Sequence, residues 1–269
     1  MLKSLRLRRY GRYVEKTFCY LLVLVITPCF FIFEMSVVRP IVVKTYHLGE
    51  IKHLLHVICS TFCFTNIVGN MMLCIFTQTN LKESVISEHY CELCKINRPA
   101  TAWHCATCDT CVLRRDHHCF FLSRCIGLQN QRYYVLYLGY VFISLVYSTY
   151  YNYYYVLTKF DDYDLYLSAY RVINPLLRYV IPEPLGMRDL YVLFLFLNMG
   201  LVIWSGGLFW FHMRNVLRGV TAREYKSSCR VSWHSTKKNF IDVFGTRWYL
   251  AILWPFAVSP LPRHDIKLN

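Results

Sequence analysis

Acidic residues are scarce. The 269-residue chain carries 16 Asp and Glu against 30 Lys and Arg, a formal charge of +14. Paired charges are missing from four apolar runs, near 17–38, 54–76, 133–157 and 189–212. Each run has about the twenty residues that a helix needs to cross a bilayer. Runs without paired charges offer no ion path, which argues against a channel or transporter. No small-residue cleavage site follows the first run, so it reads as a retained helix. No internal repeat, low-complexity linker or luminal retrieval ending stands out.

The bases that are present are unevenly placed. Lys3, Arg6, Arg8, Arg9, Arg12 and Lys16 precede the first run, and Arg214, Arg218, Arg223, Lys226, Arg230, Lys237 and Lys238 follow the fourth. Segment 77–132 holds Lys82, Lys95, Arg98, Arg114, Arg115, Arg124 and Arg132. The segment 39–53 has only Arg39, Lys44 and Lys52, and 158–188 sets Asp161, Asp162, Asp164 and Glu183 against four bases. The positive-inside bias then puts both termini and 77–132 in the cytoplasm. The basic excess is accounted for by topology and anionic lipid, without nucleic acid. The expected fold is an all-α integral membrane protein with four transmembrane helices and a cytoplasmic Cys-rich domain between the second and third. Its divisions are 1–76, 77–132, 133–212 and 213–269.

The Cys-rich stretch runs from Cys91 to Asn130. It holds Cys91, Cys94, Cys105, Cys108, Cys111, Cys119 and Cys125, with His104, His117 and His118. Cysteines in C-x2-C pairs with interspersed histidines are the pattern of structural zinc sites, and a reducing compartment favours metal over disulfides. Two tetrahedral ions take eight of the ten side chains. Adjacent residues of an extended segment face opposite ways, so His104 and Cys105 belong to different ions, and His117 and His118 are likewise split. The partition that follows is Cys91, Cys94, His104 and Cys111 for one ion. The other takes Cys105, Cys108, His118 and Cys125. His117 and Cys119 are left over, with Asp116 beside them.

An imidazole next to a thiol accepts its proton, and a carboxylate on the other ring nitrogen fixes the tautomer. Both ions would be structural, closed by four protein ligands. Phe120, Phe121 and Leu122 would press the loop onto the bilayer. A metal scaffold without chemistry, and a disulfide framework on the oxidising side, remain open on spacing alone.

Other features carry weaker expectations. Glu34, near a helix end, is expected to snorkel to the headgroups, and Asn66 and Asn70 to bond a neighbouring helix. The tyrosines of the third run suit interfacial belts. Segment 158–188 reads as a short amphipathic surface helix. Ser205-Gly206-Gly207 would allow close helix approach. The apolar end, Trp248 to Pro262, would pack back against the helices or the membrane surface.

Asp116-His117-His118-Cys119, the spacing of the whole Cys-rich region and Asn130 resemble the DHHC protein S-acyltransferases, or palmitoyltransferases. Thr221-Ala222-Arg223-Glu224 is similar to that family's Thr-Thr-x-Glu, with the second threonine replaced. Asn239 to Gly245 resembles its C-terminal Asn-anchored element. The family's Asp-Pro-Gly after the second span is absent from Thr77 to Ser84, and Phe120-Phe121-Leu122-Ser123-Arg124 stands where it has Pro-Trp-Val-Asn-Asn. The resemblance implies that Cys119 takes the acyl group of palmitoyl-CoA and passes it to protein cysteines near the membrane. His117 would be the base and Asp116 its orienting acid. Arg114, Arg115, Arg124 and Arg132 would meet CoA phosphates. Ser144, being small, would leave a deep acyl pocket. An endomembrane address, ER or Golgi, also follows from the family. A non-catalytic membrane adaptor that keeps the metal fold is the rival reading.

Overall fold

The computed structural model describes residues 2–81, 87, 89–160, 162–174, 186–226 and 235–262. A first helical stretch runs without a break through α1 (Leu2–Leu21), α2 (Thr27–Phe33) and α3 (Arg39–Thr45), joined by π turns at Leu22–Ile26 and Glu34–Val38. Pro28 and Pro40 follow just after those turns. A proline cannot donate to the carbonyl one turn back, and a widened turn absorbs the mismatch. Next come α4 (Glu50–Phe76), α5 (Gln131–Leu157), α6 (Asp162–Ile173) and α7 (Met187–Leu217). Tyr10–Thr45, α4 and α7 are long and apolar enough to cross a membrane. The 27-residue α5 matches them in length, and its tyrosines dilute its apolar character. The expected run at 17–38 is therefore part of a much longer helix.

Among the described residues between α4 and α5 lie three antiparallel hairpins: β1 (Tyr90–Cys91) with β2 (Ile96–Asn97), β3 (Trp103–Cys105) with β4 (Thr110–Val112), and β5 (His117–Cys119) with β6 (Arg124–Ile126). They form a repeat that the sequence had not shown. Lys95, Asp109 and Ser123 occupy the same place in successive turns, and all three have positive φ. Their first cysteines, Cys91, Cys105 and Cys119, recur at a constant interval. The third turn has Leu122 where the others have a second cysteine, Cys94 and Cys108. That leucine hides the period. It is almost wholly buried, so it anchors the turn and does not reach the bilayer as expected, whereas Phe120 and Phe121 stay exposed.

The chain divides into two compact units. One comprises Met1–Thr27, Thr65–Leu138 and Phe209–Asn269. In it Asn130, fully buried, accepts from the Gly127 N–H and donates to the carbonyls of Cys125 and Cys74. Arg124 Nε donates to the Ile75 carbonyl at 2.5 Å. Asn130 and Arg124 thus satisfy carbonyls that the last turn of α4 leaves without helical partners. Among the described residues three short helices follow α7: α8 (Ala222–Lys226), α9 (Thr236–Phe244) and α10 (Trp248–Leu253). Asn239 of α9 donates to the Leu217 carbonyl at 3.0 Å, and Gly219, at φ +68°, lies so close that a Cβ there would sit 2.7 Å from its Oδ1. Pro255 packs into the notch left by Gly69, and Asn66 reaches the Leu253 carbonyl. Asn66 thus bonds the C-terminal segment, and Asn70 bonds the Asn66 carbonyl within its own helix. The expected packing-back of the apolar end is seen at these positions.

The other unit comprises Pro28–Phe64 and Gly139–Leu208. Val38 and Val42 pack on Tyr151 and Tyr155. Glu34 does not snorkel. It accepts hydrogen bonds from Ser148 Oγ at 2.8 Å and Asn152 Nδ2 at 2.5 Å, while Asn198 Nδ2 reaches the same Ser148 Oγ at 3.0 Å. A carboxylate held off water needs such donors, and a single polar lock supplies them. Gly206 admits the Phe142 ring, where a Cβ would sit 2.8 Å away; Gly207 has open space. Leu165, Ala169 and Val172 of α6 pack against Val156, Val192 and Leu195. Of the other apolar residues of that expected surface helix, Leu167 is half-buried and Ile173 exposed, and Leu176, Leu177, Val180 and Ile181 lie outside the described residues.

Candidate active site and metal centres

The hairpin register assembles the ligand sets. His104 stands directly opposite Cys111 across β3 and β4, and His118 opposite Cys125 across β5 and β6, so each pair shares a face. The turn of the preceding hairpin adds two cysteines. Cys91, Cys94, His104 and Cys111 come together, as do Cys105, Cys108, His118 and Cys125, with ligand atoms in each group within 4.8 Å of one another. The middle hairpin thus serves both sites. His104 Nδ1 lies 3.2 Å from Cys94 Sγ and 3.8 Å from Cys91 Sγ. His118 Nδ1 lies 3.7, 3.3 and 3.7 Å from the sulfurs of Cys105, Cys108 and Cys125. A tetrahedral Cys3His zinc site has edges of roughly 3.5–3.8 Å, so the donor atoms fit an ion of that size. Each set can hold a metal ion.

The third turn breaks the series. Cys119 stands where Cys91 and Cys105 stand, but Leu122 replaces its partner and α5 follows in place of another hairpin. Among the described residues, Cys119 is the one cysteine of this stretch outside both clusters. Alternation along β5 puts His117 and Cys119 on one face and the ligand His118 on the other.

His117 Nδ1 donates to Asp116 Oδ2 at 2.7 Å. Burial acts to lower the His117 pKa, but the Asp116 carboxylate and the Cys119 thiol outweigh it and raise the value to about 9. Burial acts to raise the Asp116 pKa, and its hydrogen bond and charge attraction with His117 hold it below the usual value. The other oxygen of Asp116 accepts from the Ala222 N–H at 2.6 Å. That N–H opens α8 through a reciprocal cap: Thr221 Oγ1 accepts from the Glu224 N–H at 3.2 Å, and Glu224 accepts from the Thr221 N–H at 2.8 Å. The Thr-Ala-Arg-Glu segment is thus a capping box aimed at Asp116. The missing second threonine leaves that contact intact, because the contact is made by backbone.

Two partners were not foreseen. Glu15 of α1 accepts from His118 Nε2 at 2.9 Å, while Phe18 packs its ring against Phe120 and Phe121 at 5.6 and 5.7 Å. A carboxylate on the outer nitrogen of a ligating histidine fixes its tautomer and raises its basicity. Replacing Glu15 with glutamine is therefore expected to weaken one of the two metal equivalents by about 10–100-fold in a chelator-competition titration. Equal release from the variant and the native chain would refute this. Among the described residues the other site has no such support, because Asp109 stands 3.9 Å from His104 Nε2, beyond hydrogen-bond reach. His212 of α7 is the second unforeseen partner. A histidine in an apolar run was the available signal for it.

The expected phosphate contacts each have protein acceptors. Arg114 donates to the Gly219 carbonyl at 3.0 Å, Arg115 to Cys105 Sγ at 3.7 Å, and Arg124 to Ile75. Arg132 donates to the Ser259 carbonyl and to the Tyr133 hydroxyl. A guanidinium has five N–H donors, so these bonds leave capacity at each. Ser144 lies half-buried on α5.

Apolar helices of spanning length, joined to paired metal-capable hairpins and an Asp-His pair beside a thiol, define a multi-pass membrane protein with the parts for thiol chemistry. The model of the DHHC palmitoyltransferase family matches residues 84–228, more than half of the chain. The chain belongs to this family and is an S-palmitoyltransferase. It is 27% identical over 234 residues to human "Probable palmitoyltransferase ZDHHC24", covering 82% of this chain and 81% of that protein. It is 28% identical over 205 residues to human "Palmitoyltransferase ZDHHC22", covering 75% and 77%. A shorter match, 37% over 81 residues, joins 30% of the chain to 22% of "Palmitoyltransferase ZDHHC9" of Pongo abelii.

Proposed function

We propose that the chain transfers a long-chain acyl group from acyl-CoA to protein cysteines through an acyl-Cys119 thioester. The observation that carries this is the third hairpin, which keeps its cysteine, lacks its ligand partner and aims the thiol to the His117 side of β5. The Cys119 thiol gives its proton to His117, and the sulfur attacks the thioester carbonyl. The carbon–sulfur bond to CoA then breaks, and CoA leaves as the thiol with the proton from His117. His117 then takes the proton of an acceptor thiol, whose sulfur attacks the Cys119 thioester, and Cys119 leaves and recovers that proton. Asp116 holds His117 with Nδ1–H toward the carboxylate and Nε2 toward the reacting sulfur.

Two zinc ions are proposed in the Cys3His sets, where they would supply rigidity. The four-span reading includes α5, with the hairpins and both termini cytoplasmic and an ER or Golgi address. The domain divisions stay those read from sequence. Arg114, Arg115, Arg124 and Arg132 are proposed to meet CoA phosphates with their remaining donors. Ser144 is proposed to set acyl length, read from acceptance of acyl-CoAs of increasing length. Acceptors are cytoplasmic-facing cysteines close to the bilayer.

The test is to incubate the detergent-purified chain with labelled palmitoyl-CoA and then add a membrane-anchored cysteine peptide. Label should appear on the chain, be released by neutral hydroxylamine and move to the peptide. A metal-loaded, folded sample that takes no label would favour the adaptor.

A further inference from the structure

His212 lies on α7 far in sequence from the Cys-rich stretch, yet it is 5% exposed against the same carboxylate as His117. Its Nδ1 stands 3.5 Å from Asp116 Oδ2. Its ring centroid is 5.2 Å from that of His117, at an interplanar angle of 35°. Tyr134 of α5 closes the group, edge-on to His212 at 5.0 Å and 5.0 Å from His117. Asp116 is thereby approached from three elements: the Ala222 N–H from α8, His117 from β5 and His212 from α7.

One alternative is a third metal site, since Asp116, His117 and His212 come within ligating reach of one another. The 2.7 Å between His117 Nδ1 and Asp116 Oδ2 argues against it. That is the separation of a shared proton, whereas two ligands of one tetrahedral ion stand roughly 3.3 Å apart.

The geometry points to His212 as a positioning residue for acyl transfer, a second donor to Asp116 Oδ2 that confines the His117 ring to one orientation. This rests on the acyl-Cys119 reading above. A carboxylate with one donor can swing out of the His117 ring plane, and His117 would turn with it. With Ala222 fixing one oxygen and His212 bracing the other, the carboxylate plane is set before substrate arrives. The 3.5 Å separation is long for a hydrogen bond, and catalytic bonds of this kind tighten when substrate excludes water. Because His212 would act through Asp116, its effect is expected on the rate of the chemical step and not on acyl-CoA binding.

Steady-state acyl transfer by the reconstituted full chain tests this, using palmitoyl-CoA, His212→Phe and His212→Gln, with metal content and melting measured on each. Phenylalanine keeps the bulk and removes the donor, and glutamine restores an N–H. The expected result is at least about a tenfold fall in kcat for His212→Phe with KM for palmitoyl-CoA unchanged, and recovery of most of it in His212→Gln. Native rates in His212→Phe would overturn the inference, as would a rise in KM alone or a glutamine variant no better than phenylalanine. Loss of metal or of folding in both variants would place His212 in the fold and overturn it too. A native chain that takes no acyl label fails the underlying reading instead, and that control is run first.

Discussion

Replacing Cys119 with serine is expected to stop acyl transfer while leaving the protein folded and metal-loaded. The size of the loss follows from the nucleophile. Sulfur is much the better nucleophile toward a thioester, and the proton of a serine hydroxyl is far harder to remove. A fall of at least about a thousandfold in label uptake is expected. The absence of collateral damage follows from the hairpin repeat. Cys119 is outside both metal-capable clusters, and serine fits its volume. Metal content should stay at two ions per chain, and melting should match the native protein. His117→Gln should share the profile with a smaller loss, about 10²–10⁴-fold, because it removes the base and leaves the thiol. The decisive comparison is with the six cluster cysteines, whose serine variants should lose metal and activity together. Undiminished labelling of Cys119→Ser would move the acyl group to another thiol and end the proposed mechanism.

The two metal-capable clusters are legible in the sequence because the rule that sorts them is local. His104 beside Cys105, and His117 beside His118, can be assigned by alternation along a strand, and the hairpin register agrees. The repeat stays hidden because Leu122 breaks the C-x2-C pattern at its third occurrence. What spacing cannot show is who meets whom across long stretches of chain. Glu15 on His118 and His212 beside Asp116 join the first helical stretch and α7 to the third hairpin; nothing near Glu15 announces a partner, and a histidine in an apolar run marks His212 without saying what it meets. Glu34 departs from expectation for a related reason. A carboxylate near an expected helix end has a cheap escape to the headgroups, but this helix continues to Thr45, and Ser148 and Asn152 are there to receive it. The Thr-Ala-Arg-Glu departure looks costly only if the motif is read as side chains.

Replacing Cys111 with serine is expected to cost the chain both metal ions, the hairpin fold and activity, a larger structural effect than that of any residue at the thiol. Cys111 is fully buried, and its carbonyl also accepts from the Leu81 N–H at 2.8 Å. The hairpins are strands of two or three residues, and such pairs do not hold together in water on their own. With the two proposed zinc ions bound, their stability would come from the ions: structural zinc contributes about 10–16 kcal/mol, comparable to or above the whole stability of a small domain. Serine is a poor zinc ligand, so the first ion should leave. The second should weaken with it, because Cys105 and Cys108 sit in the same β3–β4 hairpin that Cys111 helps to hold. Loosening that hairpin frees the third through the Leu128 to Leu113 backbone bond, and with it the Asn130 and Asp116 contacts that locate Cys119. Metal analysis should find well under two ions per chain and proteolysis should cut within 91–125, while the long helices keep their circular dichroism. A Cys111→Ser chain that retains both ions and resists protease would mean that the hairpins stand without the first centre.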